Sequence, residues 1–478
     1  MRNRLTYTFL FTLLVAAGLL LLGLLPPLRI GETVLRRVDA LSMLRPDKKA
    51  EVPQEAVMPV DTLIAQADTA AIQADTLMQV KKAYVASNDT VPGITIIEEF
   101  PDSNGEGGMA DFYEALANID HLGRPVRVAY FGDSFIEGDI LTADLRAMLQ
   151  KRFGGCGVGY VPVTNKHPHY RPTVTHTFAG WESHVSTDSK DFRDELQDIS
   201  GHYFFPAGSG KASVTLRGQH KYATLLDTCE VSSFYFVSPD SVVITASVNG
   251  KEVKRFELAG DSAMQVLSVE GRIGRVEWAV EQADTTARFF AASMDSHQGI
   301  AVDNFNTRGS NGMKLMSIPL ETLKEFDKLR TYDLIVLQYG LNVASDKLLD
   351  YTYYKIGMVK VLRHLKQAFP NTSILIVGVS DRDTRDKDTG ELRTMPGVRE
   401  LTSSQRWLAV DTNVAFWNLF EAMGGESSIK EMAEGNPQMA NFDYTHINFL
   451  GGRHLAKALY KAIVYGSERY KEQTEYED

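Results

Sequence analysis

The stretch Val126-Arg127-Val128-Ala129-Tyr130-Phe131-Gly132-Asp133-Ser134 (VRVAYFGDS) is a short apolar run closed by a glycine turn. A run of this length bounded by a turn predicts a buried strand, and Ala143 to Phe153 follows it with Leu145, Met148 and Leu149 on one helical face. The alternation returns after residue 300. Strands are expected at Leu334 to Leu337 and Ile374 to Val379, and helices at Tyr351 to Phe369, Ser403 to Met423 and His454 to Val464. Strands alternating with helices predict an α/β domain of three layers, a parallel sheet covered on both faces.

Between 166 and 299 the texture changes. Short β-type runs between Ala212 and Ala291 follow one another without a convincing helix, and Asn249-Gly250 sits between two of them as a strong hairpin signal. This predicts a β-sandwich inserted into the α/β domain, which would occupy 111–165 and 300–470.

The amino-terminal hundred residues are of another kind. Leu5 to Leu28 carries no charge over 24 residues, as a helix roughly 36 Å and enough to span a bilayer. The run exceeds a signal-peptide core and no small-residue cleavage site follows it, so an uncleaved single-pass anchor is expected. Arg2 and Arg4 precede the run and Arg29, Arg36, Arg37 and Arg45 follow it, so arginine count alone favours the opposite orientation to the one adopted below. From 29 to 110 no strong period persists, and the ten acidic residues between Glu51 and Ala110 face only Lys81 and Lys82. That segment is read as a flexible linker.

Composition sets outer limits. The chain has 478 residues, 44% hydrophobic and 23% charged, which fits a largely globular protein. Its net charge of −11 argues against a nucleic-acid partner. Cys156 and Cys229 are too few for a disulfide framework or a thiolate zinc site; one bridge and two free thiols are both allowed. His167-Pro168-His169 lacks neighbouring ligands for a metal, and no Walker, HExxH or dinucleotide motif occurs. Asp381 to Glu391 breaks calcium-loop spacing at Arg385 and is read as a solvated loop near the mouth of the site. Trp181, Tyr203, Tyr222 and Trp278 are read as core or ordinary surface, with sugar stacking the alternative.

The chemistry concentrates at two places. Ser134 directly follows the first strand, where open parallel sheets put ligand-binding residues, and is a candidate nucleophile given a base. Asp443-Tyr444-Thr445-His446 supplies one: a three-residue spacing on one helical turn brings Asp443 and His446 to the same face.

Gly132-Asp133-Ser134 followed by Gly138-Asp139, Gly309-Ser310-Asn311-Gly312, Gly340-Leu341-Asn342 and Asp443-x-x-His446 together resemble the SGNH, or GDSL-type, hydrolases. The resemblance implies a flavodoxin-like sheet, with Ser134 as nucleophile, His446 as general base and Asp443 as its orienter. It also implies an oxyanion hole from the Ser134 and Gly312 amides and the Asn342 side chain, and no cofactor or metal. Gly309 is the other glycine that can supply the amide; Gly312 is taken because the family's glycine usually ends its segment. Val343 departs from the acidic residue that many members have after the asparagine. A β-rich insertion between the serine and glycine blocks is similar to that of bacterial peptidoglycan O-acetylesterases and O-acetyltransferases. This implies an O-acetylated cell-envelope glycan as substrate, and a body on the periplasmic side of the inner membrane. Three readings follow: an esterase, an O-acetyltransferase served by a membrane acyl-donor protein, and a glycan-binding protein without activity.

Overall fold

In a computed structural model the chain divides into two units, 1–77 and 78–478. The structure describes the short antiparallel pair Arg29–Ile30 and Thr33–Val34 in the first. In the second it describes residues 84–478 apart from 188–190, 209–210, 252, 387–388 and 475–478. The anchor expected at 5–28 lies outside the described residues. Among those described, no helix is long and apolar enough to cross a membrane.

The α/β domain is built on a sheet of six strands: β1 (Ile97–Glu98), β2 (Val126–Gly132), β3 (Ile300–Asn306), β4 (Leu334–Gln338), β5 (Ser373–Val377) and β6 (Ala415–Trp417), in the order β3-β2-β4-β5-β6-β1. All neighbours are parallel except β6 and β1. Period-two alternation sends Val126, Val128 and Tyr130 into one apolar layer and Ala129 and Phe131 into the other. The first layer is closed by the helices Ala110–Ala117, Thr142–Phe153 and Phe449–Thr474, and the second by Leu320–Arg330, Thr352–Ala368 and Gly397–Thr412. Thr352–Ala368 shows why. Its buried residues Tyr354, Met358, Val361, Leu362 and Leu365 recur at helical spacing, each large apolar side chain contributing roughly 1.5–3 kcal/mol on burial.

Two expectations are corrected here. Ser403 to Met423 is not one helix: Asn413 adopts left-handed φ (52°) as C-cap, and the chain then enters the sheet as β6 before a short helix, Leu419–Met423. Nor does the linker extend to 110. From Tyr84 onward the chain is folded: β1 pairs with Phe416 and Trp417, and Glu99, 5% exposed, accepts from Tyr84 Oη and the Met109 amide.

The inserted module is two facing antiparallel sheets. One orders Asp261–Ile273, Cys229–Ser238, Arg288–Met294, His202–Pro206 and Trp181–Val185; the other orders Val253–Leu258, Val242–Val248, Arg275–Gln282, Ala212–Gly218 and Val174–Ala179. The strand Gly159–Pro162 joins the first sheet, so the module takes in residues before 166. Its core stacks Trp278 on Phe234 at 5.4 Å. Trp278 and Tyr203 are buried and unavailable to a sugar; Tyr222 donates to Asp144, and Trp181 packs on Phe289. Asn249 and Gly250 both take positive φ at the tip of the hairpin that their pairing predicts. Cys156 and Cys229 are buried free thiols of this core.

Candidate active site

The carboxyl ends of β2, β3 and β4 align: Gly132 stands opposite Asn306 on one side and Gln338 on the other. Each strand therefore delivers a loop to the same edge of the sheet, the place where open α/β sheets bind ligands. The β2 loop carries Ser134, the β3 loop Gly309 to Gly312, and the β4 loop Asn342.

Ser134 opens a 3₁₀ segment, Ser134–Asp139, capped by Asp133, whose carboxylate accepts from the Phe135 amide. Its Oγ lies 3.1 Å from His446 Nε2, and His446 Nδ1 lies 2.8 Å from Asp443 Oδ2. This pairing fits the tautomer in which Nδ1–H donates to Asp443 and Nε2 accepts from the serine hydroxyl. The three side chains come from opposite ends of the chain. Asp443 and His446 do not share a helical turn as their spacing predicts. They sit in a non-helical loop in which Asp443 Oδ1 accepts from the Thr445 and His446 amides and Tyr444 has φ 51°; the last helix begins at Phe449. A side-chain turn thus replaces the helix while keeping the same juxtaposition. Partial burial pushes the Asp443 carboxyl up, but the amides of His446 and Thr445 and the imidazole outweigh it and hold the group below the usual carboxylate range.

The three groups expected to hold an oxyanion are placed as follows. Asn342 Nδ2 donates to Asp133 Oδ2 (3.1 Å) and to the Ser310 carbonyl (2.9 Å), and the Gly312 amide donates to Ser310 Oγ (3.1 Å). Ser310 therefore engages both donors at once, a role that its residue type gives no hint of. Gly312 has φ 85°, and a Cβ there would stand 2.7 Å from the Tyr339 ring, so the position requires glycine. Gly309 also has positive φ but faces open space and lines the neighbouring cavity.

Two functional features escape a sequence reading. Burial pushes the Asp133 carboxyl up to about 6, against the Phe135 amide, the nearby His446 and Asn342. The segment after β5, expected as a solvated loop, is a hairpin, Asp383–Arg385 with Leu392–Thr394, buried at its base through Asp381, Asp383 and Thr394, while Arg385, Thr389, Gly390 and Glu391 are exposed as expected. Asp381 is fully buried and accepts from Thr394, Ser428 and the Ile429 amide, the Asp383 amide donates to the Tyr444 carbonyl, and Arg382 donates to the Leu341 carbonyl. This hairpin braces both the base loop and the Asn342 loop. Among the described residues no group of three or more His, Cys, Asp or Glu side chains is placed to hold a metal.

A pH effect on stability follows from Asp133. Its folded pKa lies above its unfolded one, so its contribution is fully present below about pH 4 and is lost as pH rises through about 6. The wild-type protein should therefore lose stability between pH 4 and 7 relative to Asp133→Asn, by on the order of 2–3 kcal/mol. Urea unfolding of both proteins across that range measures it; parallel profiles would refute it.

No protein-family model matches the sequence, and no curated protein matches it. Solved structures do. Over 78% of this chain and 99% of the other, the fold is similar to that of a peptidoglycan O-acetylesterase, at 21% identity and a TM-score of 0.62. A family two carbohydrate esterase from Clostridium thermocellum matches over 57% of this chain and 97% of its own, at 11% identity and a TM-score of only 0.27. The first likeness is one of fold: the chain shares the α/β architecture of that structure.

Proposed function

We propose that this protein is a serine esterase that removes O-acetyl groups from a cell-envelope glycan, in the first place peptidoglycan. The observation that carries the reading is the connected line Ser134 Oγ, His446, Asp443 at the loop end of the parallel sheet, 3.1 and 2.8 Å apart. In this mechanism Ser134 Oγ attacks the acetyl carbonyl while His446 Nε2 takes its proton. The carbonyl oxygen becomes an oxyanion and takes the place of Ser310 at the Gly312 amide and Asn342, with the Ser134 amide as third donor. Collapse breaks the bond to the sugar oxygen, which receives the proton from His446 and leaves. Water, deprotonated by His446, then attacks acetyl-Ser134, releasing acetate and restoring the hydroxyl. A sugar hydroxyl in place of that water would make the same site a transferase. With the 5–28 run as anchor, the body would face its glycan outside the cytoplasm.

The test is release of acetate from O-acetylated peptidoglycan and from 4-nitrophenyl acetate, with and without a sugar acceptor. Acetate released at equal rates supports the esterase, whereas acetyl appearing on the sugar overturns it. Asn342→Ala is expected to lower kcat/KM for either substrate about 100- to 1000-fold, the usual cost of one oxyanion donor. A fall of less than tenfold would remove Asn342 from the site.

A further inference from the structure

The sequence holds two cysteines in 478 residues, far apart along the chain, and the fold brings both into the core of the inserted module. Cys156 lies on the segment that leaves the catalytic domain, between the helix Thr142–Phe153 and the strand Gly159–Pro162. Cys229 opens Cys229–Ser238, an inner strand of the module. Hydrogen bonds hold the two segments side by side. The Gly157 amide donates to the Leu225 carbonyl (2.9 Å), and Cys229 Sγ donates to the Leu226 carbonyl (3.6 Å). The Asp295 carbonyl accepts from the Glu230 amide (3.0 Å) and lies 3.8 Å from Cys156 Sγ. A Cβ at Gly157 would stand 2.9 Å from Cys229 Sγ, so the chain beside Cys156 passes directly over that sulfur.

The hydrogen bond between the two thiols holds Cys156 below the ordinary thiol range and pushes Cys229 above it. That division suits thiol–disulfide exchange, in which one sulfur ionises to attack and the other stays protonated until it resolves the mixed disulfide. The pair is also within reach of solvent. Cys156 is 6% exposed, and Cys229, itself buried, lines a surface cavity of 510 Å³ together with Glu230, Arg272 and His297.

We propose that Cys156 and Cys229 form a disulfide in the folded protein, a covalent staple between the segment that leaves the catalytic domain and an inner strand of the module. The oxidant is a small disulfide, R–S–S–R. The Cys156 thiolate attacks one of its sulfurs, and the first R–S⁻ leaves with the proton that Cys156 gave up. Cys229 then loses its proton and attacks Cys156 Sγ, displacing the second R–S⁻, which takes that proton. Two protein thiols are oxidised and the small disulfide is reduced to two thiols. The bond closes a long loop that contains the strands from Gly159–Pro162 to Ala212–Gly218, so it restricts the unfolded chain and stabilises the folded one. It is independent of the esterase reading.

The full chain is incubated with oxidised glutathione or with dithiothreitol, then unfolded in urea with iodoacetamide and weighed by mass spectrometry. The expected result is two alkylated thiols after dithiothreitol and none after oxidised glutathione, with no glutathione retained and no dimer. Oxidation should also raise the thermal midpoint by about 5–10 °C. Cys156→Ala, which leaves Cys229 without a partner, should show no such rise. Two alkylated thiols after oxidation, a glutathione retained on either sulfur, or a bond between two chains overturns the disulfide. A bond formed without a rise in the midpoint, or a rise that persists in Cys156→Ala, overturns the staple.

Discussion

Replacing Ser134 by alanine is expected to lower turnover of an acetyl ester by on the order of 10⁴- to 10⁶-fold while leaving the fold intact. The hydroxyl is partly buried and meets His446 Nε2 at 3.1 Å; removing it takes away no apolar packing and strands no buried charge. What disappears is the route through a covalent acetyl intermediate, and the remaining groups can only assist direct attack by water. Asp443→Ala should cost less, because His446 keeps its place through the loop and loses only the partner that fixes its tautomer and stabilises its charged form. The order Ser134 before Asp443 in severity separates nucleophilic catalysis from a site in which His446 merely activates water. In that second case Ser134→Ala would retain most of the activity. The measurement is single-turnover acetate release by wild type and both variants. A Ser134→Ala protein within tenfold of wild type would end the mechanism proposed above.

The parts of the architecture that could be read from the sequence are those where one local period decides the structure. Val126 to Phe131 is apolar at every position but Arg127 because both faces of the strand are covered. Thr352–Ala368 shows its stripe, and Asn249-Gly250 its turn. Where partners far along the chain decide, the sequence is silent. Val414 to Trp417 continues a helical pattern and becomes a strand because Asn413 ends the helix and β5 offers an open edge. Ile97–Glu98 is a strand only by virtue of Trp417. Val174–Ala179, with alternate residues polar and exposed, lacks the apolar run that marks the inner strands. The site divides in the same way. Ser134, Asp443, His446, Gly312 and Asn342 are legible as residue types in order, whereas the engagement of Gly312 and Asn342 by Ser310 is a matter of loop geometry.

Asp139 is the clearest case of information held only in three dimensions, and its replacement by alanine carries the largest expected loss of stability, about 3–5 kcal/mol. The residue closes the segment that Ser134 opens. Gly138 and Asp139 both take left-handed φ, 62° and 64°, which ends the 3₁₀ turn and directs the carboxylate inward. There it accepts from Thr142 (2.9 Å), Arg146 (3.1 Å), Arg171 (2.8 Å), Thr173 (2.6 Å) and Asn304 (2.9 Å). Burial alone would push the group up; Arg146 and Arg171 outweigh it and hold the carboxyl far below the usual range. The stability that this depressed group contributes is present above its unfolded pKa, near 4, and is lost as pH falls into the acid range. Alanine would leave two buried guanidiniums without their counter-charge, and asparagine would keep the shape but not the charge, so both variants should be destabilised. The node also joins β3, the helix Thr142–Phe153 and the inserted module, through Asn304, Arg146 and Arg171, to the segment that begins at Ser134. Protein of either variant that remains folded should therefore lose kcat more than KM for 4-nitrophenyl acetate, since the change acts on the placement of Ser134 rather than on contacts to the ester. Urea unfolding together with initial rates below the transition checks both halves. A variant as stable as wild type would refute the ion-pair argument, and a destabilised variant with unchanged kcat would show that the node holds the domains together without positioning the nucleophile.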